Sequence, residues 1–300
     1  MRPGSVRETH SPRIAEEIQR AGTADSRAEL SAPRVETAES ARTLPSPFEA
    51  LASSYDETFT RTCIGTRMRR AVWRRLDAAF HPGARVLELG CGTGEDAVHL
   101  AGRGVLVLAT DPAEGMLAQT RAKAGRAGLQ DRVTARMLDA GRLDETDLGG
   151  PFDGAFSNFG ALNCVPDLDA VSVGLSRHVR QGGRVLLCLM GRYVPWEWAW
   201  FLVRGDRRAA LRRLAAGGAE WRGLPIAYPQ IRELRRVFAP GFRFLGVRAI
   251  GVLVPPSYVE GWAARHPRLL AALDAVERRV EALPPFPSLA DHFLVELERR

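Results

Sequence analysis

The stretch VLELGCGTGEDA, Val86 to Ala97, sets a short apolar run against three alternating glycines, Gly90, Gly92 and Gly94, and then a helical pattern. A strand therefore hands over to a helix through a glycine loop. A phosphate-binding loop of the form G-x-x-x-x-G-K-[ST] does not fit, because no Lys or Arg lies near the glycines. A dinucleotide fingerprint, G-x-G-x-x-G, asks for glycine where Glu95 stands. Glu95 and Asp96 at the mouth of the loop would also repel a pyrophosphate. The loop misses both phosphate versions.

Outward from the loop, short apolar runs alternate with helical patterns. ARVLELG, VLVLATD, VTARMLD, FDGAFSN and GGRVLLCLMG read as strands; EDAVHLAGRG, AEGMLAQTRAKAGRAG and DLDAVSVGLSRHV read as helices between them. This order predicts a doubly wound α/β fold with a mostly parallel sheet covered on both faces. The alternation stops after Gly191. PWEWAWFLVRGDRRAALRRLAAG and PQIRELRRVFAPG then read as helices, FRFLGVRAIGVLV as a long strand, SYVEGWAARHPRLLAALDAVERRVEAL as more helix, and DHFLVELER as a final strand. Upstream, TRMRRAVWRRLDAAF places Met68, Val72, Leu76 and Ala79 or Phe80 on one helical face, and order is expected from about Pro47. Residues 1–44 have few large apolar side chains and no aromatic, and read as a disordered tail before a domain spanning 45–300.

A chain that is 45% hydrophobic and 26% charged has the composition of a soluble globular protein. No apolar run reaches the length of a membrane helix, and no secretory signal pattern opens the chain, so a cytoplasmic address is expected. Cys63, Cys91, Cys164 and Cys188 are scattered, without a CxxC pair, and predict reduced, buried thiols rather than a metal site or disulfides. The net charge of +7 is carried almost wholly by arginine, since Lys123 is the single lysine. From Gly191 to Arg248, twelve arginines face four acids, 12 − 4 = +8, so the excess sits in one segment.

Acids mark the strand ends. Glu88 lies in the first strand, Asp111 closes the second and Asp139 the third, and in a doubly wound sheet these ends line one crevice. Carboxylates there suit a ligand with a ribose diol, an adenine amino group and a positive charge. From about Pro47 onward the chain resembles the class I (Rossmann-like) S-adenosylmethionine-dependent methyltransferases. The resemblance rests on ELGCGTG after a strand, Asp111 at the next strand's end, LDA at the third and FDGAFSNFGALNCV at the fourth. It implies a seven-stranded sheet with an antiparallel last strand and a helical cap inserted after the fifth strand. It places substrate-cap insertions at 191–240 and 255–288.

By that resemblance Gly90, Gly92 and Gly94 let the backbone approach the methionine moiety, and Glu88 orients the loop and the amino group. Asp111 takes the ribose hydroxyls, and Asp139 with the Ala140 backbone takes the adenine. Ser157, Asn158 and Phe159 border the sulfonium and the incoming substrate. Tyr55 belongs to an amino-terminal segment that folds over the cofactor in related enzymes. His292 opens the antiparallel last strand, so it falls at the crevice edge beside Asp291 and is a candidate general base. Trp196, Trp198 and Trp200 stand where such enzymes insert a substrate lid, with Arg204, Arg207, Arg208, Arg212 and Arg213 as candidate anion holders. His99 and His178 fall within helical patterns.

The expected function is transfer of the methyl group of S-adenosylmethionine to O, N or C of a small, partly apolar molecule by in-line displacement. No metal is expected. Nucleic acid is disfavoured as substrate, because SNFG stands where amino-methylating DNA enzymes carry an Asn/Asp-Pro-Pro-aromatic stretch. The alternatives are another use of the same cofactor (non-methyl transfer, decarboxylation or cyclisation) and a non-catalytic protein that binds it. The oligomeric state is not encoded in any pattern found.

Overall fold

The computed structural model describes residues 47–215 and 217–300, so the tail assigned to residues 1–44 lies outside the described residues. Helix α1 (Cys63–Ala79) precedes strand β1 (Arg85–Leu89), and the glycine loop joins β1 to helix α2 (Glu95–Gly102). There follow β2 (Leu106–Asp111), α3 (Glu114–Arg126), β3 (Val133–Met137), β4 (Phe152–Ser157), α4 (Leu168–His178) and β5 (Val179–Met190). Beyond β5 lie α5 (Pro195–Leu202), α6 (Arg207–Leu211), β6 (Ala219–Trp221), β7 (Leu224–Ile226), α7 (Ile231–Phe238) and β8 (Phe242–Ile250). The chain closes with α8 (Glu260–Ala263), α9 (Pro267–Val280) and β9 (His292–Arg299).

The main sheet has seven strands in the order β3-β2-β1-β4-β5-β9-β8. Strands β1 to β5 pair in parallel, and β9 runs antiparallel to both its neighbours. This is the predicted sheet, including its antiparallel last strand. Side chains alternate between two cores because successive residues of a strand point to opposite faces. Val86, Phe156, Leu186 and Leu294 join the core under α1 and α2. Leu87, Ala155, Leu187 and Phe293 join the core on the other face, with Val171 and Leu175 of α4 and Leu234 and Phe238 of α7. Helix α1 buries Ile64, Met68, Val72 and Leu76, the face its spacing predicted.

Strand order reverses between β1 and β4, so the carboxyl ends of β1, β2 and β4 open onto one crevice. Strand β9 begins at that edge, since His292 pairs with Met190 at the end of β5 and with Ile250 at the end of β8.

The segment after β5 is not purely helical. Strands β6 and β7 form a hairpin on Arg222 and Gly223, whose φ angles of 50° and 80° fit a two-residue type I′ turn. The hairpin buries Trp221 and Ile226 against Leu51, Ala113 and Met116 as a third small core. The amino-terminal segment and the hairpin thus roof the crevice together. Of the cysteines, Cys91 and Cys188 are buried, Cys164 is half-buried and Cys63 is exposed at the start of α1, which corrects the expectation for that thiol. Among the described residues no helix is long and apolar enough to cross a membrane.

Candidate functional site

Gly90, Gly92 and Gly94 all have positive φ, 70°, 53° and 76°, as a tight turn from strand to helix requires. At Gly94 an added Cβ would meet Thr120 Cγ2 at 2.6 Å, whereas at Gly92 it would meet nothing within 4 Å. Gly94 is therefore needed for packing against α3, and Gly92 presents bare backbone to open space. Gly94→Ala is expected to lose about 2–4 kcal/mol of stability from the left-handed strain plus crowding. Urea unfolding checks this; an unchanged midpoint would mean the loop rearranges freely.

Asp111 holds the loop in place. Its carboxylate accepts from Gly92 N and from Ala113 N, each at 2.9 Å. Burial nevertheless raises its pKa to about 6, against the lowering by those two bonds. Glu88 is 1% exposed, and its Oε2 has no hydrogen-bond partner. Burial first, and then the charge of Asp96, push its pKa well above the usual carboxylate range. Asp139 is exposed at the end of β3 and accepts from Gly141 N at 2.9 Å, capping the short turn that Ala140 opens.

After β4, Ser157 donates to Leu89 O at 2.8 Å and ties β4 to β1. Asn158 Nδ2 donates to Asp96 Oδ2 at 2.9 Å, while its Oδ1 is buried without a partner. Asp96 also accepts from Trp73 Nε1 at 2.6 Å and pairs with Arg69 at 2.7 Å. These contacts hold its pKa below the usual value despite burial, with the Arg69 charge the largest lowering cause. The Arg69 guanidinium lies over the rings of Phe159 and Phe59, at 4.7 and 5.7 Å. Arg69 and Asp96 escaped the sequence reading, in which Asp96 served only to exclude phosphate.

The amino-terminal segment is latched over the loop. Asp56 accepts from Thr93 Oγ1 at 2.6 Å and pairs with Lys123 at 2.8 Å, and Lys123 pairs in turn with Glu95 at 2.7 Å. Glu49 accepts from Gly115 N at 2.8 Å. The single lysine of the chain was the signal available for this latch. Tyr55, in the same segment, lines the neighbouring cavity. Burial pushes its pKa up to about 12, within electrostatic reach of Arg69, Asp96, Asp111 and Asp56.

Next to Tyr55 is a cavity of about 140 Å³. Its walls include Phe59, Phe159, Tyr228 and Tyr258, with Asp291 and His292 at one end. Phe159 has φ of 51° and sits edge-on to both Phe59 and His292, with ring centroids 5.2 and 5.7 Å apart. His292 Nδ1 lies 3.1 Å from Asp291 Oδ2, and Nε2 has no protein partner among the described residues. Asp291 Oδ1 accepts from Arg213 at 2.7 Å. Arg213 and His292 together hold the Asp291 carboxyl far below the usual range, against its burial.

The three tryptophans do not line this cavity. Helix α5 turns Glu197 inward to Arg212 and Arg213, at 2.8 and 3.0 Å. Side chains one residue away are swung about 100° round the helix, which leaves Trp196 and Trp198 half-buried at its flanks. Trp200 packs behind the wall, 6.0 Å from the Tyr258 ring and under Arg204. The aromatic wall comes instead from Phe59, Tyr228 and Tyr258, which the sequence reading missed. Arg213 is not an anion holder either. Its Nε donates to Glu197, Nη1 to Gly191 O and Asp291 O, and Nη2 to Asp291, with Glu197 also 3.0 Å from Nη2, so all three nitrogens are engaged. Arg204, Arg207 and Arg208 are exposed. Among the described residues no three or more His, Cys, Asp or Glu side chains group to hold a metal ion.

Residues 86–183 match the family model of a methyltransferase domain. A demethylmenaquinone methyltransferase of Mycobacterium marinum is 34% identical over 150 residues, 49% of this chain and 59% of that protein. The chain thus spans little more than half the length of this curated relative. A chain solved in the complex of the Haloferax volcanii Trm112 methyltransferase activator with a methyltransferase is 16% identical and has a TM-score of 0.52, covering 85% of this chain and 99% of its own. A Galdieria sulphuraria chain described as a sarcosine dimethylglycine methyltransferase is 17% identical with a TM-score of 0.51, covering 78% and 84%. These two likenesses are of fold. The domain match runs from β1 into β5 and takes in the glycine loop between β1 and α2, so residues 86–183 are those of a methyltransferase domain.

Proposed function

We propose that this chain transfers the methyl group of S-adenosylmethionine to a small, partly apolar molecule held in the aromatic cavity. The observation that carries the reading is contiguity. Tyr55 and Phe159 line the cavity that also contains Asp291 and His292, while Tyr55 lies within electrostatic reach of Asp111 and Asp96, and Asn158, next to Phe159, bonds Asp96 in the helix that follows the glycine loop. A cavity of about 140 Å³ with aromatic walls favours a small molecule over nucleic acid, and the composition favours action in the cytoplasm.

The cradle fits the cofactor. A buried, unpartnered Glu88 oxygen beside Asp96 and Asp111 calls for a cation, and Gly92 leaves backbone open where a side chain would stand. Glu88 and the loop would take the methionine moiety, Asp111 the ribose, and Asp139 with Ala140 the adenine. The bound cofactor supplies a methyl group on a sulfonium, a good leaving group. The protein's part is then to hold the acceptor about 3 Å from the methyl group and exclude water. Tyr55, kept protonated by burial, acts as a hydrogen-bond donor over the crevice rather than as a base. His292 removes a proton from an acceptor that carries one, with Asp291 fixing its tautomer.

Calorimetry with S-adenosylmethionine tests the cofactor half. The ligand cation favours ionised Asp111, whose pKa in the free protein is about 6. Affinity is therefore expected to be full above pH 6 and to fall on acidification through it, by at most about tenfold per pH unit for one proton. Asp111→Asn should weaken binding by about tenfold to a hundredfold and flatten that pH dependence. Labelled methyl transfer to the small-molecule fraction of an extract tests the other half. A methylated product alongside S-adenosylhomocysteine supports the proposal. Cofactor consumption without methylation would point to the other reaction types, and binding without turnover to a non-catalytic protein.

A further inference from the structure

We infer that the outer faces of α5 and α6 dock on a lipid surface that carries anionic head groups. The docking does not depend on what the crevice binds. Helix α5 turns its acid in and its apolar side chains out. Its buried side chain is Glu197, drawn inward to Arg212 and Arg213 at 2.8 and 3.0 Å. Its exposed side is Pro195, Ala199, Leu202 and Val203, spaced i, i+4, i+7 and i+8, one helical stripe without a polar side chain. Val203 is 85% exposed and Leu202 48%. Trp196 and Trp198 flank the stripe, half-buried. Single exposed apolar residues are ordinary on a protein surface, but a whole apolar helix face marks a contact.

Cations adjoin the stripe. Arg204 stacks over the Trp200 ring at 3.3 Å and donates to Trp200 O. Arg207 and Arg208 stand exposed on α6, and Leu211, 51% exposed, follows one turn later on the same side. Among the described residues none of these three guanidinium groups pairs with a carboxylate. Asp206, the remaining acid of the segment, is half-buried and caps α6 by accepting from Ala209 N at 2.9 Å. Charge chooses the occupant. A second copy laid on this face about a two-fold axis would set three arginines against three arginines. A neutral apolar partner would strip the guanidinium groups of water without pairing them. An anionic lipid surface supplies both halves of the contact. Leu202, Val203 and Leu211 enter the acyl boundary, the indoles of Trp196 and Trp198 sit at head-group level, and the arginines meet phosphates. Arg212 and Arg213, next along the chain, line the aromatic cavity, so docking brings its cap to the phase in which apolar molecules dissolve.

The test floats the full chain with vesicles of phosphatidylcholine alone and of an equal mixture of phosphatidylcholine and phosphatidylglycerol. Binding to the mixed vesicles is expected to be at least about tenfold tighter and to weaken with added salt, since each arginine at an anionic surface is worth about fivefold. Leu202→Ser with Val203→Ser should weaken it by at least about tenfold through the apolar groups withdrawn from the lipid. Arg207→Gln with Arg208→Gln should weaken it by about tenfold to thirtyfold. Unchanged urea midpoints show that both variants are folded. Should either not fold, slowed amide exchange over residues 199–208 of the wild type on mixed vesicles locates the contact directly. Equal binding to the two vesicle types overturns the inference, as do full binding by either folded variant and unchanged exchange across 199–208. Absence of vesicle binding overturns it too. The face then belongs to a second copy if the wild type is a dimer that the Leu202→Ser, Val203→Ser variant loses, and to a protein partner if the wild type is a monomer.

Discussion

Replacing His292 by glutamine is expected to lower turnover by about 10²- to 10⁴-fold, the usual worth of a positioned general base. Glutamine keeps a polar side chain at the start of β9 but cannot accept a proton. The geometry behind the expectation is a relay. Glu197 and Asp291 clasp Arg213, Arg213 holds Asp291 ionised at 2.7 Å, and Asp291 faces His292 Nδ1 at 3.1 Å. Nδ1 is thereby committed as donor, and Nε2 is left as the accepting nitrogen beside the cavity. The loss should fall on kcat, with S-adenosylhomocysteine affinity within about twofold of wild type, because His292 faces Asp291 and packs on Phe159 in the wall of the substrate cavity. The assay is methyl transfer to whichever acceptor the extract screen identifies. A loss under about threefold would mean that His292 only supports the ring of Phe159 and that the acceptor needs no base.

Glu197→Ala is expected to lose about 3–5 kcal/mol of folding stability, because it strips two buried guanidinium groups of their shared carboxylate. Glu197 is 1% exposed and lies 2.8 Å from Arg212 and 3.0 Å from Arg213. Against a total stability of roughly 5–15 kcal/mol this is a large fraction, readable as a shift of the urea midpoint. Glu197→Gln should lose less, since it keeps an oxygen acceptor for Arg213 Nε. Turnover at a denaturant-free temperature should fall as well, because a loosened Arg213 no longer pins Asp291. A change below about 1 kcal/mol would show that water reaches and solvates both guanidinium groups.

Much of the fold was legible because buried parallel strands are written as continuous apolar runs. VLVLATD and GGRVLLCLMG became β2 and β5 with only their ends adjusted. The hairpin β6–β7 was not legible, since strands of three residues are too short to show a period of two. What makes it a hairpin is Trp221, buried against the amino-terminal segment and α3, and that contact is tertiary. The same holds for the wall of the cavity. Trp196, Trp198 and Trp200 drew attention by composition, yet it is Glu197 between them that α5 turns inward, to Arg212 and Arg213, which lie 15 and 16 residues further along the chain.

The seven-stranded sheet with its antiparallel last strand was implied by the resemblance that the motifs carry; by itself the sequence determined the glycine loop between a strand and a helix and the acids at the ends of the first three strands. These follow from local pattern and from the regular geometry of a doubly wound sheet, in which position along the chain implies position in space. Only the tertiary structure decided which side chains share a site. Asp56 meets Lys123, Asn158 meets Asp96, and Arg213 meets Asp291 across 78 residues of chain. Ion pairs of that kind depend on distances of about 3 Å between groups brought together by packing, and no periodicity in the chain encodes them.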